Sequence, residues 1–186
     1  HDHFDEPYAR VTGAGVIFGA SGGVAEAALR MAMEKLTGDK LDDHLQFHPV
    51  VGLAGTREAT VTAGGRTVRV AVVSGLGNAE PLISRVVAGE DIGYDLVEIM
   101  ACPGGCIDGA GQPAPSKVGE LRKRTELLFD IDKGSKYRRS QENPDVLRLY
   151  DQFYGEPNSE RAHELLHTSY QPFDGQASVP RMMPIN

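Results

Sequence analysis

The pattern of apolar and polar positions divides the first part of the chain into short elements. An apolar run over 16–18 predicts a strand, and Gly19, Gly22 and Gly23 predict the turn after it. Residues 24–36 are rich in Ala, Leu, Met and Glu, which favour a helix that Gly38 ends. The β-branched stretches 60–62 and 68–70 flank Ala63-Gly64-Gly65 and predict a hairpin.

A second helix and a last strand follow the hairpin. Asn78 occupies an N-cap position, and Leu82, Ile83, Val86 and Val87 supply the apolar stripe of a helix that ends at Gly89. The stretch YDLVEIMA predicts a strand that runs directly into the glycine-rich segment CPGGCIDGAGQP. The order strand–helix–hairpin–helix–strand predicts an α/β layer with sites at the carboxyl ends of strands.

Beyond Pro115 the pattern changes to helices and linkers. Residues 117–130 predict one helix. The stretch ENPDVLRLYDQFYG predicts another, with Asn143 as N-cap, Pro144 at the first helical position, and an apolar face of Val146, Leu149, Tyr150 and Phe153 before Gly155. SERAHELLHTSY predicts a short third helix, and we expect the proline-rich tail to be extended. We therefore divide the chain into an α/β lobe with the cysteine loop, residues 1–115, and C-terminal helices and tail, residues 116–186.

Composition narrows the class of protein. Of the 186 residues, 40% are hydrophobic and 24% charged, which is typical of a globular chain. A formal net charge of −7 argues against nucleic acid or an anionic membrane as the main partner. We find no apolar run long enough to span a bilayer and no signal peptide. Because the chain opens on His1, we expect a processed chain or a piece of a larger protein.

The sequence HELLH, residues 163–167, matches the zinc protease pattern H-E-x-x-H. His163 and His167 would bind the metal and Glu164 would act as the base. A third ligand should follow, but Asp174 is the only carboxylate side chain beyond His167. We therefore prefer a partly buried terminal helix without a metal.

The turn GASGG precedes a predicted helix, whose N-terminal N–H groups could bind an anion. The spacing is not G-x-G-x-x-G, and a hairpin follows rather than a strand that ends in an acidic residue. A tight turn without a ligand is the alternative.

Cys102 and Cys106 are the only cysteines, so a disulfide framework is excluded and a local role is favoured. Thiolates suit zinc or an iron–sulfur cluster, and either metal group would need two further ligands. A free thiol pair or a local disulfide are the alternatives. Neither explains the surrounding glycines, which fit a bulky inorganic cluster packed against the backbone.

These residues also carry a family resemblance. EIMACPGGCIDGAGQP resembles the third signature motif of the FeFe-hydrogenase catalytic domain, and GAGVIFGASGGVAEAALR and the C-terminal helices are similar to the family's in the same order. The resemblance runs from Phe4 to Tyr170. It implies one lobe of the two-lobed α/β hydrogenase fold, with a small mixed sheet flanked by helices and a C-terminal helical extension.

The resemblance also implies a cofactor, the H-cluster: a 4Fe–4S cluster joined to a diiron unit with CO, cyanide and a bridging dithiolate. Carried over by motif, Cys102 would be a terminal ligand and Cys106 the ligand that bridges to the diiron unit. Met100 would line the diiron pocket, so that Cys106 and Met100 are the expected catalytic residues. The expected cofactor-binding residues are Phe18, Gly19, Ala20, Met100 and Gly105.

Two family motifs, T-S-C-C-P and M-P-C-x-x-K, are absent, and Ala110 replaces the middle glycine of G-G-G-Q-P. The resemblance therefore implies part of a hydrogenase that interconverts H2 with protons and electrons. A partner chain or missing segment would supply the other ligands, and ferredoxin or another electron-carrier subunit would supply electrons. We expect a cytoplasmic location, with a periplasmic one as the alternative. The alternative function is a hydrogenase-like iron–sulfur or sensory protein without fast turnover.

Overall fold

A computed structural model describes Tyr8 and residues 10–50, 53–114 and 119–169. These described residues divide into two compact units, one ending at Leu147 and the other beginning at Arg148. No helix in the described ranges is long and apolar enough to cross a membrane.

The first unit is built on a four-stranded mixed sheet with the strand order β1-β2-β3-β4. The strands are β1 (His48–Pro49), β2 (Thr56–Ala63), β3 (Arg66–Ser74) and β4 (Leu96–Met100). The first three pair antiparallel, and β4 lies parallel to β3. The predicted hairpin is confirmed: Gly64 and Gly65 form its turn with φ of 55° and 76°, a conformation that glycine adopts at little cost.

Two helices pack against the sheet through alternate residues of β3. Helix α2 (Gly23–Thr37) places Leu29 and Met33 in one core cluster with Val70 and Val72. Helix α3 (Leu76–Val87) buries Ala79 and Leu82 in a second cluster with Val73. Successive side chains of a strand point to opposite faces, so the two helices cover opposite sides of the sheet. This arrangement confirms the predicted α/β lobe.

The apolar run at Val16–Phe18 was predicted as a strand, and that prediction is wrong. Residues Gly13–Ile17 form a short helix, α1, with Thr12 as N-cap; the Thr12 hydroxyl accepts a hydrogen bond from Gly15 N–H at 3.1 Å. Ala14 and Ile17 are fully buried, and their spacing of three residues matches one face of a helix. Of the two glycine-rich loops that the sequence placed after strands, the GASGG turn follows a helix and the cysteine loop follows a strand.

Two helix starts also differ from the predictions. Helix α3 begins at Leu76 after Gly75, and Asn78 lies inside it, where its side-chain amide donates to the Ser74 carbonyl at 2.7 Å. Helix α4 spans Glu120–Gly134 rather than 117–130, and Gly119 precedes it in a left-handed conformation.

The predicted start of the first C-terminal helix at Asn143 and Pro144 is confirmed, and the structure adds a cap for the second. Helix α5 (Pro144–Leu149) begins at Pro144, and helix α6 (Glu160–Leu166) is capped by Ser159, whose hydroxyl accepts from Ala162 N–H. Between them Tyr150–Tyr154 form a π-helical turn. Phe153 is half exposed, whereas the other residues of the predicted apolar face, Val146, Leu149 and Tyr150, are partly buried. The predicted extended tail lies outside the described residues.

Candidate functional site

The cysteine loop begins where β4 ends. The Met100 carbonyl accepts a hydrogen bond from Gly75 N–H at 2.7 Å, which ties the end of β4 to the start of α3. Cys102 is half buried and Cys106 is exposed, and both are free thiols. Gly105 N–H donates to the Cys102 carbonyl at 3.1 Å, and one turn of 3-10 helix runs from Cys106 to Asp108. The loop therefore presents two thiols on a turn with defined internal hydrogen bonds.

The loop between α1 and α2 lies directly against the cysteine loop. Ser21 N–H donates to the Gly104 carbonyl at 2.9 Å, and Ile107 N–H donates to the Gly19 carbonyl at 3.1 Å. Phe18, at the end of α1, is 44% exposed, whereas Ala20 is fully buried. The structure therefore brings the predicted Gly19 and Ala20 region next to Cys106, with Phe18 reaching the surface beside it.

Gly105 is required by the fold of the chain itself. Its φ is 95°, and a Cβ there would lie 2.6 Å from the Ser21 nitrogen and 2.9 Å from the Gly19 oxygen. Both neighbours are backbone atoms, so they cannot swing away as a flexible side chain would. The glycine between the two thiols thus permits the close approach of the neighbouring loop.

Two further positions in the loop differ from Gly105. At Gly109 a Cβ would lie 3.3 Å from the Cys106 carbonyl oxygen, a tight contact but a longer one than those at Gly105, and 3.7 Å from the Cys102 Sγ. Ala110, where the family motif has glycine, is exposed, and in the described residues Asn158 is the one non-glycine with a positive φ. The methyl group of Ala110 therefore has room and causes no backbone strain.

The N-terminus of α2 is occupied by a carboxylate of this chain. Glu98 of β4 is buried, and its two carboxylate oxygens accept from Gly22 N–H at 2.6 Å and from Ala25 N–H at 2.8 Å. A carboxylate is well suited to unpaired helical N–H groups. The anion site suggested by GASGG is therefore occupied by Glu98, a carboxylate of this chain.

Arg57 of β2 also contacts the loop between α1 and α2. Its guanidinium donates to the Ser21 carbonyl at 2.9 Å, and the Ser21 and Ser74 hydroxyls lie 2.8 Å apart. Burial lowers the pKa of Arg57, and the nearby Glu98 carboxylate opposes that shift. These polar contacts join the loop between α1 and α2 to β2 and β3, at the residue whose N–H donates to the Gly104 carbonyl.

A second polar cluster lies outside the cysteine loop, with Arg30, Glu26 and Asp132 buried and His44 partly exposed. Arg30 of α2 donates to Asp132 of α4 at 2.8 and 2.7 Å and also pairs with Glu26. His44 Nδ1 lies 2.7 Å from Glu26 Oε1, so Glu26, His44 and Asp132 form the one group of potential metal ligands in the described ranges. The Arg30 and Arg138 guanidinium groups together balance the two carboxylates, and the cluster fastens α4 to α2.

The HELLH histidines do not form a zinc site in the described part of the chain. Their rings stack with centroids 4.1 Å apart, but His167 lies just beyond the end of α6 with extended backbone. No third ligand from the described residues joins them. Asp174 lies outside the described residues. The geometry agrees with the preferred interpretation of a terminal helix.

The residues that fix the loop were missed by the sequence patterns. Glu98 could have been noticed, because it is a charged residue inside the otherwise apolar strand LVEIM. Arg57 carries no such signal, because it lies in a polar stretch where arginine is ordinary. Its partner is a backbone carbonyl 36 positions away.

Comparison with known protein families shows the family of this chain. Residues 1–110 match the family described as iron only hydrogenase large subunit, C-terminal domain. Residues 118–172 match the iron hydrogenase small subunit. This chain belongs to the iron-only hydrogenase family. The cysteine loop lies at the end of the large-subunit match, and the HELLH helix lies within the small-subunit match.

Individual iron-only hydrogenases agree with this assignment. The NADP-reducing hydrogenase subunit HndD of Solidesulfovibrio fructosivorans is 46% identical over 170 residues, which cover 91% of this chain and 28% of that protein. The solved FeFe-hydrogenase HydA1 of Chlamydomonas reinhardtii superposes with a TM-score of 0.69 at 42% identity, over 90% of this chain and 48% of that one. The fold is therefore that of an FeFe-hydrogenase lobe.

The chain is also similar to proteins that are not named as hydrogenases. A probable cytosolic Fe-S cluster assembly factor of Drosophila virilis is 32% identical over 151 residues, which cover 81% of this chain and 31% of that protein. Protein NAR1 of Arabidopsis thaliana is 34% identical over 164 residues, which cover 84% of this chain and 33% of that protein. The chain thus spans about a third or less of these curated relatives and about half of the solved hydrogenase.

Proposed function

We propose that this chain supplies one half of the metal site of an FeFe-hydrogenase, which interconverts H2 with protons and electrons. The observation that carries the proposal is the pair of free thiols at Cys102 and Cys106, on a loop whose backbone is bonded to the loop after α1. The hydrogenase relatives support it, and iron–sulfur clusters, including the H-cluster, are the cofactors implied for the family.

The donor set fits half of such a cofactor. Two thiolates are soft ligands suited to iron, and a cubane normally takes four cysteines. Within the described residues no His, Cys, Asp or Glu joins the thiols to complete a metal site. Cys102 would hold the cubane, and Cys106 would hold both the cubane and the diiron unit. When bound, the H-cluster supplies the iron at which H2 is formed or split.

The remaining residues of the chain shape the wall of this site. The close approach of Gly105 to the backbone of Gly19 and Ser21 keeps the two loops in contact beside the thiols. Met100 and Phe18 would contribute an apolar surface that excludes water. Ala20 would act through its backbone, since its side chain is buried within the chain.

The missing ligands define the partner. We propose that a segment or chain with the T-S-C-C-P and M-P-C-x-x-K motifs completes the site, and that ferredoxin or another electron-carrier subunit serves it. The assignment of residues 1–115 as the lobe that carries the ligands is part of the same proposal. It is supported by the change from the large-subunit to the small-subunit match between residues 110 and 118.

A second candidate is an iron–sulfur protein of this fold without H2 turnover, which the similarity to the probable Fe-S cluster assembly factor of Drosophila virilis favours. The test assembles the chain anaerobically with a partner that carries the two missing motifs, and measures H2 production and the infrared bands of iron-bound CO and cyanide. The hydrogenase proposal expects both signals, and expects Cys106→Ser to abolish both because an alkoxide is a poor bridging ligand. Bound iron without either signal would favour the second candidate.

A further inference from the structure

A basic side chain outside the cysteine loop contacts the loop at two separate points. Arg124 lies in the second turn of α4 and is 19% exposed. Its Nη1 donates to the Ile107 carbonyl at 2.8 Å, and its Nη2 donates to the Pro113 carbonyl at 2.7 Å. The same Nη2 pairs with Glu120 at 2.6 Å, one turn earlier on the helix. The guanidinium therefore spans the segment that begins immediately after Cys106.

The Ile107 residue is consequently held from both sides. Its N–H donates to the Gly19 carbonyl at 3.1 Å, and its carbonyl accepts from Arg124. Since Ile107 directly follows Cys106, these two hydrogen bonds limit the rotation of the backbone that carries the thiol. Within the loop, Gly109 N–H donates to the Cys106 carbonyl at 3.1 Å, so Arg124 adds a restraint from outside the loop to the one that the loop itself supplies.

Helix α4 is itself fixed independently of the loop. Asp132, near its C-terminal end, forms the buried ion pair with Arg30 of α2. The Leu128 Cδ1 of the same helix lies 3.0 Å from the position that a Cβ on Gly19 would take, so α4 also packs against the loop after α1. Arg124 therefore extends from a rigid support, which is the arrangement that positions a metal ligand.

We propose that Arg124 is a positioning residue for the metal site, and that it holds the Cys106 backbone in the conformation that receives the cluster. The inference rests on the proposed function for the identity of the cluster. It also assigns a task to the small-subunit-like segment: residues 118–172 contain Arg124, whereas the cysteines lie in the segment matched by the large subunit.

The chain offers a matched control on the same helix. Arg122 pairs with Glu126 at 2.8 Å with the same spacing of four residues, but its side chain is 83% exposed, and the contacts described for it do not include the cysteine loop. Arg122→Gln removes the same kind of ion pair from α4. Arg124→Lys keeps the charge, but a single ammonium is a poor substitute for a planar group that reaches two carbonyls.

The first measurement needs no cofactor. Amide hydrogen exchange of the full chain is compared among the native protein, Arg124→Gln, Arg124→Lys and Arg122→Gln. Losing two hydrogen bonds from a charged donor should speed exchange at the Ile107 and Gly109 amides by about tenfold or more. Exchange at Val72 in the central sheet should be unchanged in all variants. Equal loop exchange in Arg124→Gln and Arg122→Gln would overturn the proposal.

The second measurement uses the complete, cluster-loaded assembly. Arg124→Gln should lower bound iron per chain and shift or broaden the infrared bands of the iron-bound CO and cyanide, with Arg124→Lys intermediate and Arg122→Gln like the native protein. Native iron content and bands in Arg124→Gln would refute a positioning role. If the native assembly binds no such cluster, the proposed function fails, and the exchange comparison still decides whether Arg124 holds the loop.

Discussion

We predict that the Asp132 side chain is needed for the packing of α4 against α2. It is fully buried, and its two oxygens accept three hydrogen bonds, two from Arg30 and one from Arg138 at 2.9 Å. Asp132→Asn keeps the shape of the side chain, which matters because Gly13 packs directly on it. It removes the charge that balances a guanidinium with 1% exposure.

The magnitude follows from the burial. Removing one partner of a buried ion pair typically costs about 3–5 kcal/mol, because the other charge stays desolvated. Arg30 keeps Glu26 as a partner, so we expect the low end of that range, about 3 kcal/mol. Urea unfolding of the full chain, followed by circular dichroism, measures this loss in the free energy of unfolding.

Glu126→Gln is the control, because it breaks an exposed pair with Arg122 of the same helix. Exposed pairs contribute less than about 1 kcal/mol. A loss in Asp132→Asn no larger than in Glu126→Gln would show that the buried cluster does not anchor α4.

The same residue predicts a pH dependence. Burial raises the pKa of Asp132, but the hydrogen bonds from Arg30 and Arg138 outweigh it, and the pKa lies below its ordinary value. A carboxyl group with a depressed pKa stabilises the fold above its unfolded pKa of about 3.9, and the stabilisation is lost as the pH falls through the folded pKa. The stability difference between the native chain and Asp132→Asn should therefore be constant near pH 6 and shrink below about pH 4.

Two further changes test the loop and the alternative metal site. Gly105→Ala should destabilise the chain by about 1–3 kcal/mol, because it places a methyl group against backbone atoms at a positive φ. Gly111→Ala is the matched control for the φ effect alone, since Gly111 has a φ of 93° but nothing within 4 Å of a Cβ. Equal losses of stability in thermal unfolding would contradict the close-approach argument. His163→Ala and His167→Ala should leave metal content and H2 chemistry unchanged, since no third ligand from the described residues joins the two histidines. Elemental analysis that finds one zinc per native chain, lost in either variant, would restore the protease interpretation.

The sequence by itself determined the elements whose signals are local. Helix α2 with its end at Gly38, the Gly64-Gly65 hairpin and strand β4 follow from periodicity and turn residues that lie within a few positions of one another. The placement of Cys102 and Cys106 on one loop is also local, because only three residues lie between them. These features need no knowledge of the rest of the chain.

The tertiary structure alone decided what surrounds the thiols. A three-residue apolar run suits a strand or a helix equally, and α1 is a helix because Ala14 and Ile17 are buried on one of its faces. Glu98 reaches α2 from 73 and 76 positions away, and Arg30 and Asp132 are 102 apart. Buried charges must find partners wherever the fold brings them, so these contacts depend on the packing of whole elements and leave no local pattern in the sequence.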